Sequence, residues 1–269
     1  MSQPDAAAEP VLVEHRSDGV SVVTLNRPER LNASNAAMTY ALLEALAESD
    51  KQPDTNVIVL TGAGRAFCAG GDTNNMGGEP AGWDDVHHRD WHLSHALLSV
   101  EKPTIAMVNG AAVGLGLTMA LFCDLVFVAE EAKLGDTHVN IGLVAGDGAA
   151  VTIPLLVGPQ RAKALMLGGT LITGAEAARL GLVNRAVPRA DLERVTWETA
   201  TRIAAQPPYA ARATKMVVNR YVRWMWQEVM EFALAAEQIS VAMPDHKAAI
   251  ERYRTSRAAA AAGPAGKGR

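Results

Sequence analysis

The stretch GDTHVNIGLVAGDGAA, residues 135–150, sets His138 and Asp147 nine residues apart among small and apolar neighbours. Imidazole is the side chain whose ordinary pKa lies near neutrality, and a carboxylate bonded to it fixes its tautomer and steadies the cation formed when it takes a proton. The spacing predicts an acid–base pair in which Asp147 orients His138 across a glycine-rich turn. The plainer reading of the same residues is a core histidine and an aspartate capping the helix that follows. Two other segments offer a second ingredient. AGGD (69–72) and VGLGL (113–117) place glycines at strand-to-helix turns, where uncovered backbone N–H groups favour negative charge. Two such donors converging on one point make an oxyanion hole.

These residues need elements to position them. VLVEHRSDGVSVVTLNRP reads as two strands around Asp18 and Gly19, and NVIVLTG as a buried strand. Between them NAAMTYALLEALAESD has helical periodicity behind the capping-type residues 32–35. A unit of strand, glycine-rich turn and helix then recurs, first in NVIVLTGAGRAFCAGGDTNNM and again in PTIAMVNGAAVGLGLTMALFCDLVFVAE. AVTIPLLVGPQRAKALMLGG is a further helical pattern, broken at Gly158 and Pro159. From about residue 190 only amphipathic helices are predicted, and the one holding Trp224 and Trp226 is too apolar for a free surface. The expected organisation is a core over 10–190 and a helical region over 191–257, with 1–9 and 258–269 as frayed ends.

Composition narrows the function classes. The 269 residues are 49% hydrophobic with a formal net charge of -4, enough apolar content for a sizeable core and no basic excess of the kind that marks nucleic-acid binding. Two cysteines, Cys68 and Cys123, form neither a disulfide framework nor a metal-type cluster, which suits a reducing, cytoplasmic setting. The uncharged run from Lys102 to Asp124 is long enough to span a bilayer. However, Pro103, Asn109, Gly110, Gly114 and Gly116 divide it into strand, turn and helix, so no membrane segment is expected.

Taken in order, LNRPERLNASN, GAGRAFCAGGD, KPTIAMVNGAAVGLGLTMALFCDLVF, LGDTHVNIGLVAGDGAA and LITGAEAARLGLVNRAV closely resemble the crotonase (enoyl-CoA hydratase/isomerase) superfamily over residues 10–190. The resemblance implies an α/β fold, a spiral of β-β-α repeats with a C-terminal helical region used in trimers or dimers of trimers. It implies an acyl-CoA thioester substrate, coenzyme A arriving as part of that substrate with no other cofactor and no metal, and an enolate held between two backbone N–H groups. Residue by residue, those donors fall on Gly71 and Leu115. Arg27, Ala33 and Ala69 fall where the family contacts the nucleotide end or pantetheine of CoA, and Gly70, Asp72, Trp83 and Thr118 also fall at the substrate.

The chain departs from the family where hydratases carry two glutamates, three residues after the second donor and twenty further on. Thr118 and His138 stand there. A hydroxyl without assistance titrates far above neutrality, so proton transfer falls to His138, helped by Asp147. The same His-and-GDG spacing resembles the β-diketone hydrolase branch typified by oxocamphor hydrolase. The expected activity is thus a hydratase-like lyase reaction, with C–C hydrolysis of a 1,3-dicarbonyl compound or silent CoA binding as alternatives. His88, His92 and His95 share a helical face that could hold a metal, but the segment is better read, with Trp83 and Trp91, as packing over the acyl pocket. Asp72 is expected to cap a helix, and Arg161 and Lys163 to sit on a solvated face.

Overall fold

The structure, a computed structural model, describes residues 9–72 and 92–261. Strands β1 (Val11–His15) and β2 (Val20–Leu25) form the expected antiparallel hairpin. Helix α1 (Ala36–Lys51) starts at Asn35, whose side chain accepts the Met38 N–H and so satisfies one of the donors a helix start leaves over.

Three β-β units follow, and each sends its two strands to different sheets. The first strands, β3 (Val57–Gly62), β5 (Thr104–Val108) and β7 (Leu125–Ala129), enter a six-stranded sheet ordered β1-β2-β3-β5-β7-β10, with β10 spanning Arg185–Val187. The second strands, β4 (Ala66–Cys68), β6 (Ala111–Val113) and β8 (Lys133–Gly135), line up in a smaller sheet closed by β9 (Ile172–Thr173). The pairs β3–β5, β5–β7, β4–β6 and β6–β8 are all parallel. Buried parallel strands read as unbroken apolar runs, which is why VIVL is legible as a strand. This is the spiral of β-β-α repeats.

Helices α2 (His92–Ser99), α3 (Leu115–Leu121) and α4 (Ala149–Val157) come after the second strands. The pattern over 149–168 does break at Gly158, where α5 (Pro159–Gly168) takes over, and α6 (Gly174–Leu180) starts from a capping box between Thr173 and Glu176. Beyond residue 188 the described chain is helical: α7 (Arg189–Ala204), α8 (Pro208–Ala242) and α9 (Pro244–Ala261). The last helix thus runs into the segment expected to fray from 258, while residues 1–8 and 262–269 lie outside the described residues.

The uncharged run proves to be β5, β6 and α3, and no helix among the described residues is long and apolar enough to cross a membrane. Its charged ends are tied to the C-terminal region. Lys215 on α8 reaches Asp124 at 2.9 Å and donates to the Lys102 carbonyl at 2.9 Å, while Asp124 also accepts the Thr104 N–H at 2.7 Å. Lys215→Met should therefore cost about 2 kcal/mol of unfolding free energy, a charged hydrogen bond lost from a buried site. Urea denaturation would measure it, and adding Asp124→Asn should recover part of the loss by removing the stranded charge.

Candidate active site

Successive parallel strands of the smaller sheet end side by side, and each end carries one part of the site. After β4 come Ala69, Gly70 and Gly71; after β6 come Gly114 and Leu115; after β8 come Asp136 and His138. Ligand sites of open parallel sheets form at such carboxyl ends.

The backbone of the first turn is fixed from both sides. Gly71 pairs with Ser34 as an isolated parallel bridge in which Ser34 N–H donates to Gly70 at 2.8 Å and Asp72 N–H donates to Ser34 at 2.8 Å. In that pattern the N–H of Gly71 itself faces away from Ser34. Leu115 is the first residue of α3, so its N–H has no acceptor within the helix. Both residues are half-buried, open enough to meet a ligand.

Contact between backbones brings the two turns together. A Cβ on Gly70 would sit 2.9 Å from the Val113 carbonyl oxygen, and one on Gly116 would sit 2.2 Å from the Cys68 carbonyl oxygen. Each turn is therefore seated against the strand that leads into the other, which only glycine permits. The Gly114 N–H bonds to the Gly135 carbonyl at 2.9 Å, linking the second turn to the third strand end. A Cβ on Gly114 would lie 3.5 Å from His138 Cε1, so the imidazole stands beside the second donor.

His138 lies between two carboxylates. Nδ1 is 2.8 Å from Asp136 Oδ2, which also belongs to the carboxylate accepting the His138 backbone N–H, and Nε2 is 3.5 Å from Asp147 Oδ2. Asp147 is held by its other oxygen, which accepts from Thr118 Oγ1 at 3.0 Å and from the Ala149 N–H at 3.2 Å. The N-cap of α4 is Gly148 and not Asp147, which lies one residue before it, accepts the Ala149 N–H and faces the imidazole. Burial alone would push His138 down. The Asp147 and Asp136 carboxylates, with Glu237 of α8, outweigh it and raise the pKa from 6.5 to about 10. The two carboxylates thus favour the imidazolium form of His138.

The expected orienting role changes hands. Asp136, two residues from His138, makes the short bond that fixes the ring, while Asp147 takes the other nitrogen at longer range. An aspartate directly after a three-residue strand carries no periodicity, so the sequence pattern does not single out Asp136; its i, i+2 relation to His138 is the available signal. Thr118, expected at the substrate, is buried and donates its hydroxyl to Asp147 at 3.0 Å. Three ligand-type atoms of Asp136, His138 and Asp147 lie within 4.8 Å of one another. With Nδ1 given to Asp136, two protein ligands would be left for a metal, fewer than catalytic zinc sites keep.

Other candidates fall as follows. Arg27, expected at CoA, directs its guanidinium inward to the Ala33 carbonyl and to Asp72 at 3.2 Å, so it braces the Gly71 turn. The helix that Asp72 was expected to cap would begin in residues 73–91, which lie outside the described residues, as do Trp83, Trp91 and His88. Ala69 is half-buried beside Gly70, and its N–H donates to Leu31 at 3.0 Å. His95 packs on Trp226 of α8 with ring centroids 5.6 Å apart, and Ser99 lies 3.3 Å from its Nδ1, a packing role for the described part of the histidine face. Arg161 and Lys163 are exposed on α5, as expected.

The model of the family described as "Enoyl-CoA hydratase/isomerase" matches residues 15–259. The chain belongs to this family. A probable enoyl-CoA hydratase, echA8, of Mycobacterium bovis is 38% identical over 213 residues, covering 79% of this chain and 82% of that protein. The 1,2-epoxyphenylacetyl-CoA isomerase of Escherichia coli is 33% identical over 77% of this chain and 81% of its own length. Among solved structures, an enoyl-CoA hydratase/isomerase from Mycobacterium paratuberculosis superposes with a TM-score of 0.84 at 32% identity, over 91% of this chain and 98% of that one. The chain is an enzyme-family member with the crotonase fold.

Folding raises the His138 pKa above its unfolded value, so the stability owed to this charge is complete below about pH 6.5 and is lost as pH climbs through about 10. The denaturation midpoint should fall over that window in the wild type and change less in His138→Gln, as equilibrium melts at stepped pH would read. Gly116→Ala should cost about 1–3 kcal/mol, because its methyl meets backbone that cannot rotate aside. The same variant should lose enolate-type ligand affinity, measured by titration.

Proposed function

We propose that the protein is a hydratase-like lyase acting on an acyl-CoA thioester, with Gly71 and Leu115 holding the thioester oxygen as an enolate. The observation that carries the reading is the His138–Asp147 pair, an acid and a base 3.5 Å apart beside the second donor turn. Hydration of a 2-enoyl thioester needs both. Asp147 Oδ2 takes a proton from water as the oxygen adds to the β-carbon, and the double-bond electrons move to the thioester oxygen. The Nε2 proton of His138 is then delivered to the α-carbon, and Asp147 returns its proton to the imidazole. Two glutamates, one ionised and one protonated, would offer the same pair of functions. Environments that push two groups apart in pKa are what assigns acid and base.

The raised pKa weighs against the alternative of C–C hydrolysis of a 1,3-dicarbonyl compound, which needs a neutral imidazole to activate water. Silent CoA binding is the remaining alternative, and turnover separates it. Coenzyme A enters as part of the substrate, and the reading needs no further cofactor. Exposed apolar side chains along α8, among them Tyr221 (73%), Trp224 (62%) and Phe232 (79%), support a homotrimer or dimer of trimers, whose interface would cover them. Two buried thiols without a disulfide suit a cytoplasmic setting.

The deciding experiment follows the conjugated absorbance of a short 2-enoyl-CoA. Wild type should consume it, and His138→Ala should lose about 10²–10⁴-fold in turnover while still binding CoA by calorimetry. Activity should hold through neutrality and fall as pH passes about 10, where the imidazolium loses its proton. Turnover that instead rises with pH on a free 1,3-diketone would transfer the assignment to hydrolysis. CoA binding without turnover would leave a silent binder.

A further inference from the structure

The segment between the two proton-transfer residues, 141–146, is held by the corner where α8 meets α9. Three points of attachment are built from that corner. His246, buried near the start of α9, donates from Nδ1 to the Ile141 carbonyl at 2.6 Å. Ser240 accepts the Val144 N–H at 3.1 Å while its own hydroxyl donates to the Glu237 carbonyl at 2.6 Å. Glu237, also buried, lies against Gly146, where a Cβ would meet Glu237 Oε2 at 2.3 Å and Glu237 Cβ at 2.8 Å. A fourth contact seals the corner, since a Cβ on Gly142 would sit 2.8 Å from the His246 Cα. His138 stands before this strap and Asp147 directly after it, so whatever fixes the strap fixes their spacing.

We infer that the α8–α9 corner positions the acid–base pair, with His246 and Ser240 as positioning residues that act on the reaction through the strap and never touch the substrate. The inference rests on the hydratase-like reading for its kinetic consequence only. A long segment between two reacting groups has many conformations, and effective molarity depends on removing them. The corner does this with one side-chain donor, one side-chain acceptor and two close glycine contacts, Gly142 against the His246 backbone and Gly146 against the Glu237 side chain. The groups facing His138 are Asp136 from the β8 end, Asp147 before α4 and Glu237 from α8. A strap that swings outward carries Asp147 away from the ring but leaves Asp136 in place.

Three variants test this. His246→Leu removes the donor to Ile141, His246→Asn keeps an N–H near the position of Nδ1, and Ser240→Ala removes the acceptor for Val144. His246→Leu and Ser240→Ala are expected to lower kcat about ten- to hundredfold with KM unchanged, and His246→Asn to restore most of the rate. Nitrogen NMR of the His138 ring gives a readout independent of turnover: its titration midpoint should move down toward the ordinary histidine value in His246→Leu and return in His246→Asn. Unchanged kcat together with an unchanged His138 titration would overturn the inference. So would an Asn variant as impaired as the Leu variant, or a loss of folding stability with no movement of the His138 midpoint. If wild type fails to hydrate any 2-enoyl-CoA, the functional reading falls, and the NMR titration still decides the role of the corner.

Discussion

The rest of this site depends on backbone meeting backbone. Gly70 against the Val113 carbonyl and Gly116 against the Cys68 carbonyl hold two turns closer than any side chain would allow. Parallel strands bring neighbouring chains within about 5 Å, but the donors of interest come after the strands end, where no ladder continues to space them. The glycine contacts extend the strand spacing into the turns. The turns that carry Gly71 and Leu115 are thereby held together through glycines, so the amino acid found at Leu115 matters less to their approach than the glycines on either side of it.

The third strand end uses the same scaffold for a different purpose. Where the first two turns present backbone donors, the turn after β8 presents a side chain, and the surrounding charges decide its protonation state. A buried imidazole beside a single carboxylate is a balance between desolvation and attraction. Here Asp136 and Asp147 take opposite nitrogens, and Glu237 adds to their field, so attraction prevails. The short bond to Asp136 fixes the ring, which leaves the Nε2 proton as the one that can move. One carboxylate on each ring nitrogen thus lets tautomer and orientation be set separately from the proton that moves.

How much of this was legible in the sequence depended on length and repetition. The strand VIVL, the helix behind Asn35, the break at Gly158 and the glycine turns each left a pattern, and so did His138 with Asp147. The strands β4, β6 and β8 are three residues each, shorter than any alternation can reveal, and it is their adjacency that places Asp136 at the site. The internal contacts of Arg27 were hidden in the sequence for a related reason. An arginine in NRPERLNA reads as available to a phosphate, yet in the fold a local loop brings its guanidinium onto Ala33 and Asp72, where it serves the first turn. Contacts across forty-five residues have no local signature.

An imidazolium in place of a carboxylic acid alters more than the proton donor. A carboxylic acid that gives up its proton leaves a negative group near an enolate that is also negative, whereas an imidazolium is positive before transfer and neutral after it. Standing beside Gly114, His138 places that positive charge next to the turn that carries Leu115. In the proposed reaction the cation would therefore stabilise the enolate electrostatically before it protonates it, adding to the two backbone donors in a site from which water is partly excluded. Asp147 and Asp136 limit that benefit, because their charges compensate the imidazolium and raise its pKa, making proton delivery thermodynamically harder. The Thr118 hydroxyl and the Ala149 N–H withdraw charge from Asp147 and so act in the opposite sense. Thr118 thus bears on His138 through Asp147, and the surroundings of the imidazole are set jointly by residues of α3, the β8 end and the turn before α4.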